Sequence, residues 1–389
     1  MKELLVKQPS YAPVSTLMLF LTEDCNLRCT YCFVNKSPRA MSLETARKSV
    51  DFYLHREVSG NLRQLGLTFF GGEPFMALDT MEEVIAHSRA VGAKARKTVT
   101  FAATTNATIA TPRVEAIVRD AQMFLLVSVD GGEDTMASRP YVGGGSPWRA
   151  VARNLKRLVA WSPAVTARMT YHPEALTLVD NVRRVLELGA PSISLCPVVE
   201  SDWRGSEQRL TEAYEELGDW FLSEARRGSY LPLYATWDLL RRVHSSRRGG
   251  SRPPRACPVG TSLIAIDPDG HVMPCHRYLY RPQDWFGTVD NPGFPAEREK
   301  YVRITSRELL GCQDCVAESV CGGGCRLVVV SERLDLHSGI HPGHCLNTRA
   351  HARVAYRIYD TLMKEQPEPF TSALHRDHAR TEAFGELAI

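Results

Sequence analysis

Between residues 16 and 200, short apolar runs alternate with longer segments in which apolar residues recur every three or four positions. Six runs rich in β-branched and aromatic residues read as strands: Leu17–Leu21, Leu65–Phe70, Val99–Thr104, Met123–Val129, Val165–Tyr171 and Ile193–Val199. The segments between them carry helix-end signals. Ser42 is placed to cap a helix running to Glu57, Asp79 with Glu82 matches a capping box, and Thr111-Pro112 reads as a cap followed by proline at the first helical position. Gly189 is placed to close a helix that begins near Leu178. Such alternation predicts an α/β fold, a parallel sheet with right-handed crossovers, two units short of a closed eight-unit barrel. A doubly wound sheet and a partial barrel both fit the pattern, and in either the ligand sits at the carboxyl ends of the strands.

Beyond residue 200, residues 206–227 predict another helix, with Tyr214, Leu217, Phe221 and Leu222 on one side. The stretch Arg241–Arg255 is rich in Arg, Ser, Gly and Pro. It reads as an interdomain linker over 236–255, either a solvated hinge or a docking strip for an acidic peptide. Ser262–Ile266 and His271–Met273 flank the turn signal Asp267-Pro-Asp-Gly270 and predict a hairpin. A last helix is expected over Arg349–Lys364, followed by a polar tail. The organisation so read is a first domain over 1–235, the linker over 236–255, a cysteine-rich domain over 256–350, and a C-terminal helix and tail over 351–389.

At 389 residues the chain has 47 Lys and Arg against 44 Asp and Glu, a net charge of +3, which makes no case for nucleic acid or an anionic membrane as a partner. No apolar run reaches the roughly eighteen residues a membrane helix needs, and Glu23 and Asp24 cut short the run at Leu17–Leu21 before it could serve as a signal-peptide core.

The cysteines change the picture most. Cys25, Cys29 and Cys32 follow the first strand with the spacing C-x3-C-x2-C, which is the pattern of neither bacterial nor plant ferredoxins. Three thiolates on a [4Fe–4S] cube leave one iron open, and an open iron can hold a cofactor as the open position of a catalytic zinc does. A zinc site or three unrelated buried thiols are the plainer alternatives. Cys257, Cys275, Cys312, Cys315, Cys321, Cys325 and Cys345 form a second set, with the spacing C-x12-G-x4-C, a gap, C-x2-C-x5-C-x3-C, a gap, then C. Cys196, late in the sixth strand, is left over; it is either a small buried side chain or a ligand or catalytic thiol. Cluster-forming thiolates point to a reducing compartment, so the cytoplasm is expected.

The first set, with the loop Phe70-Gly-Gly-Glu-Pro74 after the second strand, resembles the radical S-adenosylmethionine (SAM) superfamily. The resemblance implies a partial (β/α)6 barrel in which Cys25, Cys29 and Cys32 hold a [4Fe–4S] cluster whose open iron chelates SAM, and electron transfer then gives a 5′-deoxyadenosyl radical that abstracts hydrogen from a substrate. It implies that the adenine rests on Tyr31 and that Gly71, Gly72 and Glu73 receive the SAM amino group. Thr105 and Asn106 after the third strand, and Ser128 and Asp130 at the end of the fourth, would contact its ribose and carboxylate. Arg139 and Arg168 are candidates for pairing with that carboxylate, or equally structural ion-pair partners.

The second set resembles the SPASM domain of radical SAM enzymes that modify peptides and proteins. By that resemblance Cys312, Cys315, Cys321 and Cys345 close one auxiliary cluster, making three [4Fe–4S] clusters in all. Cys257, Cys275 and Cys325 hold the other with three ligands; some relatives add a cysteine at the position that is Ser251 here. His276 stands where sulfatase-maturating relatives carry a catalytic aspartate, and it is either a proton acceptor or a group that orients the cluster.

The expected function is a maturase acting on a ribosomally made precursor peptide, giving a crosslink, thioether, epimer or oxidised side chain. Alternatives are an anaerobic sulfatase-maturating, formylglycine-forming enzyme, a small-molecule dehydrogenase, or a non-catalytic electron-carrying or zinc-stapled scaffold. Residues 1–15 are too few for a leader-binding module, so leader recognition is expected to need a separate protein or the barrel itself. The electron donor is expected to be a flavodoxin or ferredoxin.

Overall fold

The computed structural model describes residues 13–198, 200–250, 257–291, 298, 312, 314–325, 327 and 342–384. Six parallel strands lie in sequence order: β1 (Thr16–Thr22), β2 (Gln64–Gly71), β3 (Thr98–Thr105), β4 (Phe124–Ser128), β5 (Val165–Tyr171) and β6 (Ile193–Pro197). Helices α1 (Leu43–Leu54) and α2 (Arg56–Ser59) connect the first two, and α3 (Leu78–Ala95), α4 (Pro112–Asp120), α5 (Trp148–Trp161) and α6 (Leu178–Glu187) connect the rest in turn. The six strands follow one another without the reversal of order that a doubly wound sheet has, and the sheet stays open, so of the two architectures the alternation allowed, the partial barrel is the one that fits.

All seven residues of β1 are buried. That follows from its place between β2 and a further strand, β7 (Leu263–Ile266), which runs parallel to it from Thr16↔Leu263 to Leu19↔Ile266. The predicted hairpin, β7 with β8 (His271–Met273), therefore extends the barrel sheet instead of standing in a separate domain, and β9 (Gly287–Thr288) finishes that edge. Tyr53 of α1 ties the sheet to its helical cover, its hydroxyl donating to the carbonyls of Ser15 at 2.6 Å and Gly66 at 2.8 Å.

Several helix ends differ from expectation. Ser42 caps α1 by accepting from the Thr45 amide, but α1 stops at Leu54, and Glu57 belongs to the short α2. The capping-box reading of Asp79 and Glu82 is corrected: Ala77 precedes α3 with no side-chain cap, while both carboxylates accept from Arg113 of α4. Asp79 still opposes the helix dipole from the first turn. Thr111 caps α4 as expected.

The largest correction is to the linker. Residues 236–247 lie in a helix, α8 (Tyr234–Arg247), which follows α7 (Glu207–Arg226). Trp237, Leu240 and Val243 make its buried stripe, while Arg247 pairs with Asp360 at 2.9 Å. The remaining expected linker residues, 251–255, and Ser251 with them, lie outside the described residues. Past the sheet come α9 (Glu318–Cys321), α10 (Pro342–Glu365) and α11 (Pro367–Phe384), so the expected polar tail also begins as a helix. Among the described residues no helix is long and apolar enough to cross a membrane.

Candidate cluster and cofactor site

The chain leaves β1 at Thr22, the carboxyl end of the strand, and the next dozen residues carry the first three cysteines. Backbone bonds from four directions pin this loop: Glu23 N–H to Arg39, Arg28 N–H to Pro140, Thr30 N–H to Ser138, and Val142 N–H to Asn26, all between 2.8 and 3.1 Å. The second loop, Gly71-Gly72-Glu73, presses directly on it. Gly72 and Glu73 donate to the carbonyls of Thr22 at 2.8 Å and Asp24 at 2.9 Å. A Cβ at Gly71 would overlap the Thr22 carbonyl and one at Gly72 the Asp24 carbonyl, so only glycine lets the two loops meet.

Glu73 is fully enclosed. Its carboxylate accepts from the amides of Asn106 at 2.7 Å and Phe75 at 3.1 Å and from the Thr105 hydroxyl at 2.9 Å; burial nonetheless pushes its pKa up to about 7. The residues expected at the carboxyl ends of β2 and β3 are thus brought together, with Glu73 tying them to one another. Asn106 reaches further: its Nδ2 lies 3.6 Å from Cys25 Sγ and 2.9 Å from Asn26 Oδ1. The Leu27 amide also points at Cys25 Sγ, at 3.4 Å.

On the other side, Tyr31 donates to Asp130 at 2.5 Å, and Arg139 grips the same carboxylate through Nε at 2.6 Å and Nη2 at 2.9 Å. The Thr170 amide completes the set at 2.8 Å. Asp130 and Arg139 are 3% and 5% exposed, so of the two roles expected for Arg139 the structure displays the ion pair. The guanidinium also sits 5.2 Å from the Tyr31 ring centroid. Ser128 is half-buried at the end of β4, opposite Arg168 of β5. Arg168 donates to Cys196 Sγ of β6 at 3.0 Å, a partner the sequence did not suggest.

The second cysteine set comes together in two places. Cys312, Cys315, Cys321 and Cys345 line one pocket, together with Arg349, Thr348 and Glu318. Burial raises the pKa of the Cys275 thiol well above its ordinary value, and the next influences on it are Cys257 and Cys325, which places these three in one neighbourhood. His276, next to Cys275, lies 4.8 Å from the ring of Phe70 and 5.7 Å from that of Phe33, the residue after Cys32. It bridges the first cysteine loop, the Gly-Gly loop and the second set. Burial, and then the charge of Arg168, push its pKa down to about 3, so the imidazole is neutral, and its Nδ1 has no hydrogen-bond partner among the described residues.

A single zinc with sulfurs at about 2.3 Å would hold its thiolates within roughly 4.6 Å of one another. Among the described residues the only three candidate ligands that close, within 4.8 Å, are Asp267, Asp269 and His271, and there Arg39 already pairs with both carboxylates. Among the described residues no cysteine triplet closes to that distance, and the pocket lined by four thiols has the donor set of a multi-iron cluster. Burial raises the Cys25 and Cys29 thiols and lifts Cys345 to about 12, so these sites need a metal's charge to hold thiolates.

Sequence reasoning missed three neighbours of the thiols. Lys36 Nζ lies 3.1 Å from Cys32 Sγ, Arg349 donates to Cys315, and Arg277 stacks 4.7 Å from Phe33 while pairing with Glu200. One of the three had a signal, since Arg349 falls four residues after Cys345 on the same helical face, whereas Cys32 and Lys36 lie in a loop.

Known proteins can now be set beside this geometry. The Radical SAM superfamily matches residues 19–176. The radical SAM cyclopropyl synthase TigE of Paramaledivibacter caminithermalis is 21% identical over 328 residues, covering 78% of this chain and 65% of that protein, so the chain spans less than two thirds of its length. A serine-type anaerobic sulfatase-maturating enzyme of Klebsiella aerogenes is 23% identical over 351 residues, covering 81% and 80%. Among solved structures, native anSMEcpe with bound AdoMet and Cp18Cys peptide superposes with a TM-score of 0.74 at 17% identity, covering 91% of this chain and 99% of that one, a likeness of fold. The superfamily match falls on the very stretch that holds Cys25–Cys32, the Gly-Gly-Glu-Pro loop and the strand ends around them, and it is over residues 19–176 that the chain resembles a radical SAM domain.

Proposed function

We propose that the chain is a radical SAM maturase that modifies a residue of a ribosomally made peptide, with Cys25, Cys29 and Cys32 holding a SAM-binding [4Fe–4S] cluster. The observation that carries this reading is the joining of the Cys25–Cys32 loop to the Gly71–Glu73 loop at the carboxyl ends of β1 and β2, with His276 packed against both from the second cysteine set. When bound, the cluster and SAM supply an electron and a carbon radical able to abstract hydrogen from an unactivated carbon. The protein's part is positional. Glu73 locks the strand ends, the Asp130–Arg139 pair fixes Tyr31, and amide donors from Leu27 and Asn106 orient the Cys25 sulfur. His276, neutral and enclosed, serves to orient the loop of Cys275.

In this reading Cys312, Cys315, Cys321 and Cys345 hold one auxiliary cluster and Cys257, Cys275 and Cys325 another, giving about twelve irons per chain. A low-potential flavodoxin or ferredoxin supplies electrons, and a separate protein or the barrel itself presents the peptide leader. The peptide bound beside AdoMet in the anSMEcpe structure, and the protein substrate named for the Klebsiella enzyme, support a peptide over a small molecule.

The test is anaerobic reconstitution with iron and sulfide, then SAM and dithionite. Wild type is expected to release 5′-deoxyadenosine and Cys29→Ala to release none; deoxyadenosine from that variant would refute the cluster assignment. Co-expression with a short peptide encoded beside the gene, followed by mass analysis, is expected to show a modified product. A second reading, formylglycine formation on a sulfatase, is favoured by the similarity to the Klebsiella enzyme over most of both chains. It predicts a hydrazide-reactive aldehyde on a sulfatase-derived Ser or Cys peptide. The presence of His276 in place of aspartate weighs toward the first reading.

A further inference from the structure

Among the described residues, the pocket lined by Cys312, Cys315, Cys321 and Cys345 has one cation in its lining, Arg349. It lies four residues after Cys345 on α10, so both side chains leave the same face of the helix and reach into the same space. Its guanidinium donates a hydrogen bond to Cys315 and is close enough to Cys345 and Cys312 for their charges to act on it. Arg242 of α8, which donates to the Val320 carbonyl at 3.1 Å, acts on Cys321 from outside the lining. The opposing charge in the lining is Glu318, at the start of the four-residue helix α9.

We propose that Arg349 is a positioning residue that sets the reduction potential of the four-cysteine centre through its charge and its N–H to sulfur hydrogen bond to Cys315. The proposal rests on the reading that these four cysteines hold a [4Fe–4S] cluster. Reduction places one more electron on such a cluster and breaks no bond, so the reduced form carries one more negative charge. A fixed guanidinium beside the sulfurs stabilises that form more than the oxidised one and raises the potential. Hydrogen bonds to sulfur and local charge are two of the levers a protein has over a cluster whose ligand set is already complete.

The experiment is an anaerobic redox titration with dithionite, followed by electron paramagnetic resonance, on the full chain carrying Arg349→Met, Arg349→Gln or Arg349→Lys. Iron is counted first. A wild type whose iron content does not fall on Cys315→Ala sinks the underlying cluster reading, and that result is visible before any titration. With iron in place, the Met and Gln variants are expected to lower the ratio of reduced to oxidised cluster at a fixed applied potential at least tenfold, about 59 mV for one electron. The Lys variant is expected to recover part of that loss, with the potential of the Cys25–Cys29–Cys32 centre as an unshifted internal reference. A neutral variant with full iron and the wild-type potential overturns the proposal. Loss of this centre's iron in both neutral variants but not in Lys also overturns it, since Arg349 would then decide whether the cluster is held and not its potential. Loss in all three overturns it in favour of side-chain shape.

Discussion

Compared with the loop that carries Cys25, Cys29 and Cys32, the segment that carries Cys312, Cys315 and Cys321 has little backbone of its own to lean on. The first loop is fastened to the 39–41 turn, the 138–142 turn and the Gly-Gly loop by main-chain hydrogen bonds that involve no sulfur. Among the described residues the main-chain bonds of the second segment are local: Cys315 to Cys312, Glu318 to Cys315, and Val320 and Cys321 to Ala317. Among the described residues its ties to the rest of the protein are made by side chains: Arg242 to the Val320 carbonyl, Ser319 to the Tyr356 hydroxyl and Arg349 to Cys315. The same ligand chemistry thus sits on two kinds of support. On the proposed reading, main-chain bonds to the barrel would hold the first site whether or not metal is present, whereas a short cysteine-rich turn would draw much of its folding free energy from the metal it holds.

The test with the largest expected effect sets one cysteine against another. Cys315→Ala is expected to stop product formation while leaving some SAM cleavage, and to remove amide protection across residues 314–325 in hydrogen exchange. Cys29→Ala is expected to abolish SAM cleavage while leaving the exchange pattern of β1 and its neighbours as in wild type. Equal local unfolding in the two variants would mean that both sites depend on metal alike, and the contrast would be gone.

What could be read in advance follows the same divide. Strands β1 to β6 were legible because a buried parallel strand writes itself as a continuous apolar run, and Val165–Tyr171 has the bounds expected of it. The grouping of Cys312, Cys315, Cys321 and Cys345 was implied by family resemblance and appears as one pocket. Helix α8 was hidden because Arg241, Arg242 and Arg247 run on into the Arg, Ser, Gly and Pro-rich stretch after it, although Trp237, Leu240 and Val243 already had the helical period. Helix α5 begins after Pro147 with no side-chain cap, so its start carried no signal. The partners of Glu73, Asp130 and Arg168 lie on other strands, and no local spacing encodes which donors fold against them.

Arg139→Ala sharpens the comparison from the barrel side. It removes the guanidinium from a carboxylate that is 3% exposed and leaves Asp130 with only the Tyr31 hydroxyl and the Thr170 amide. Stranding a buried charge in this way costs about 3–5 kcal/mol, far more than the roughly 1 kcal/mol that a surface pair such as Arg247–Asp360 contributes. Urea unfolding of the metal-free chain is the measurement, with Arg247→Ala as the control. A loss near that of the control would show that the first site is not held by its own buried network.

Glu73 offers the smallest effect and the most direct reading of a site built ahead of its metal. Its carboxyl ionises near 4.5 in an unfolded chain and near 7 in the folded one, because enclosure outweighs its three hydrogen-bond donors. Below pH 4.5 both states hold the proton and the stabilisation is complete. Between 4.5 and 7 the unfolded chain has lost a proton that the folded chain keeps, so stability falls as pH rises, and above 7 the loss levels off at about 3 kcal/mol. Glu73→Gln removes that titration. In the metal-free chain the stability difference between wild type and variant should therefore shrink or reverse from pH 5 to pH 8, as followed by urea midpoints. A difference that stays constant across that range would place the ionisation of Glu73 below it, and the three donors, not burial, would then govern the carboxylate that locks β2 to β3.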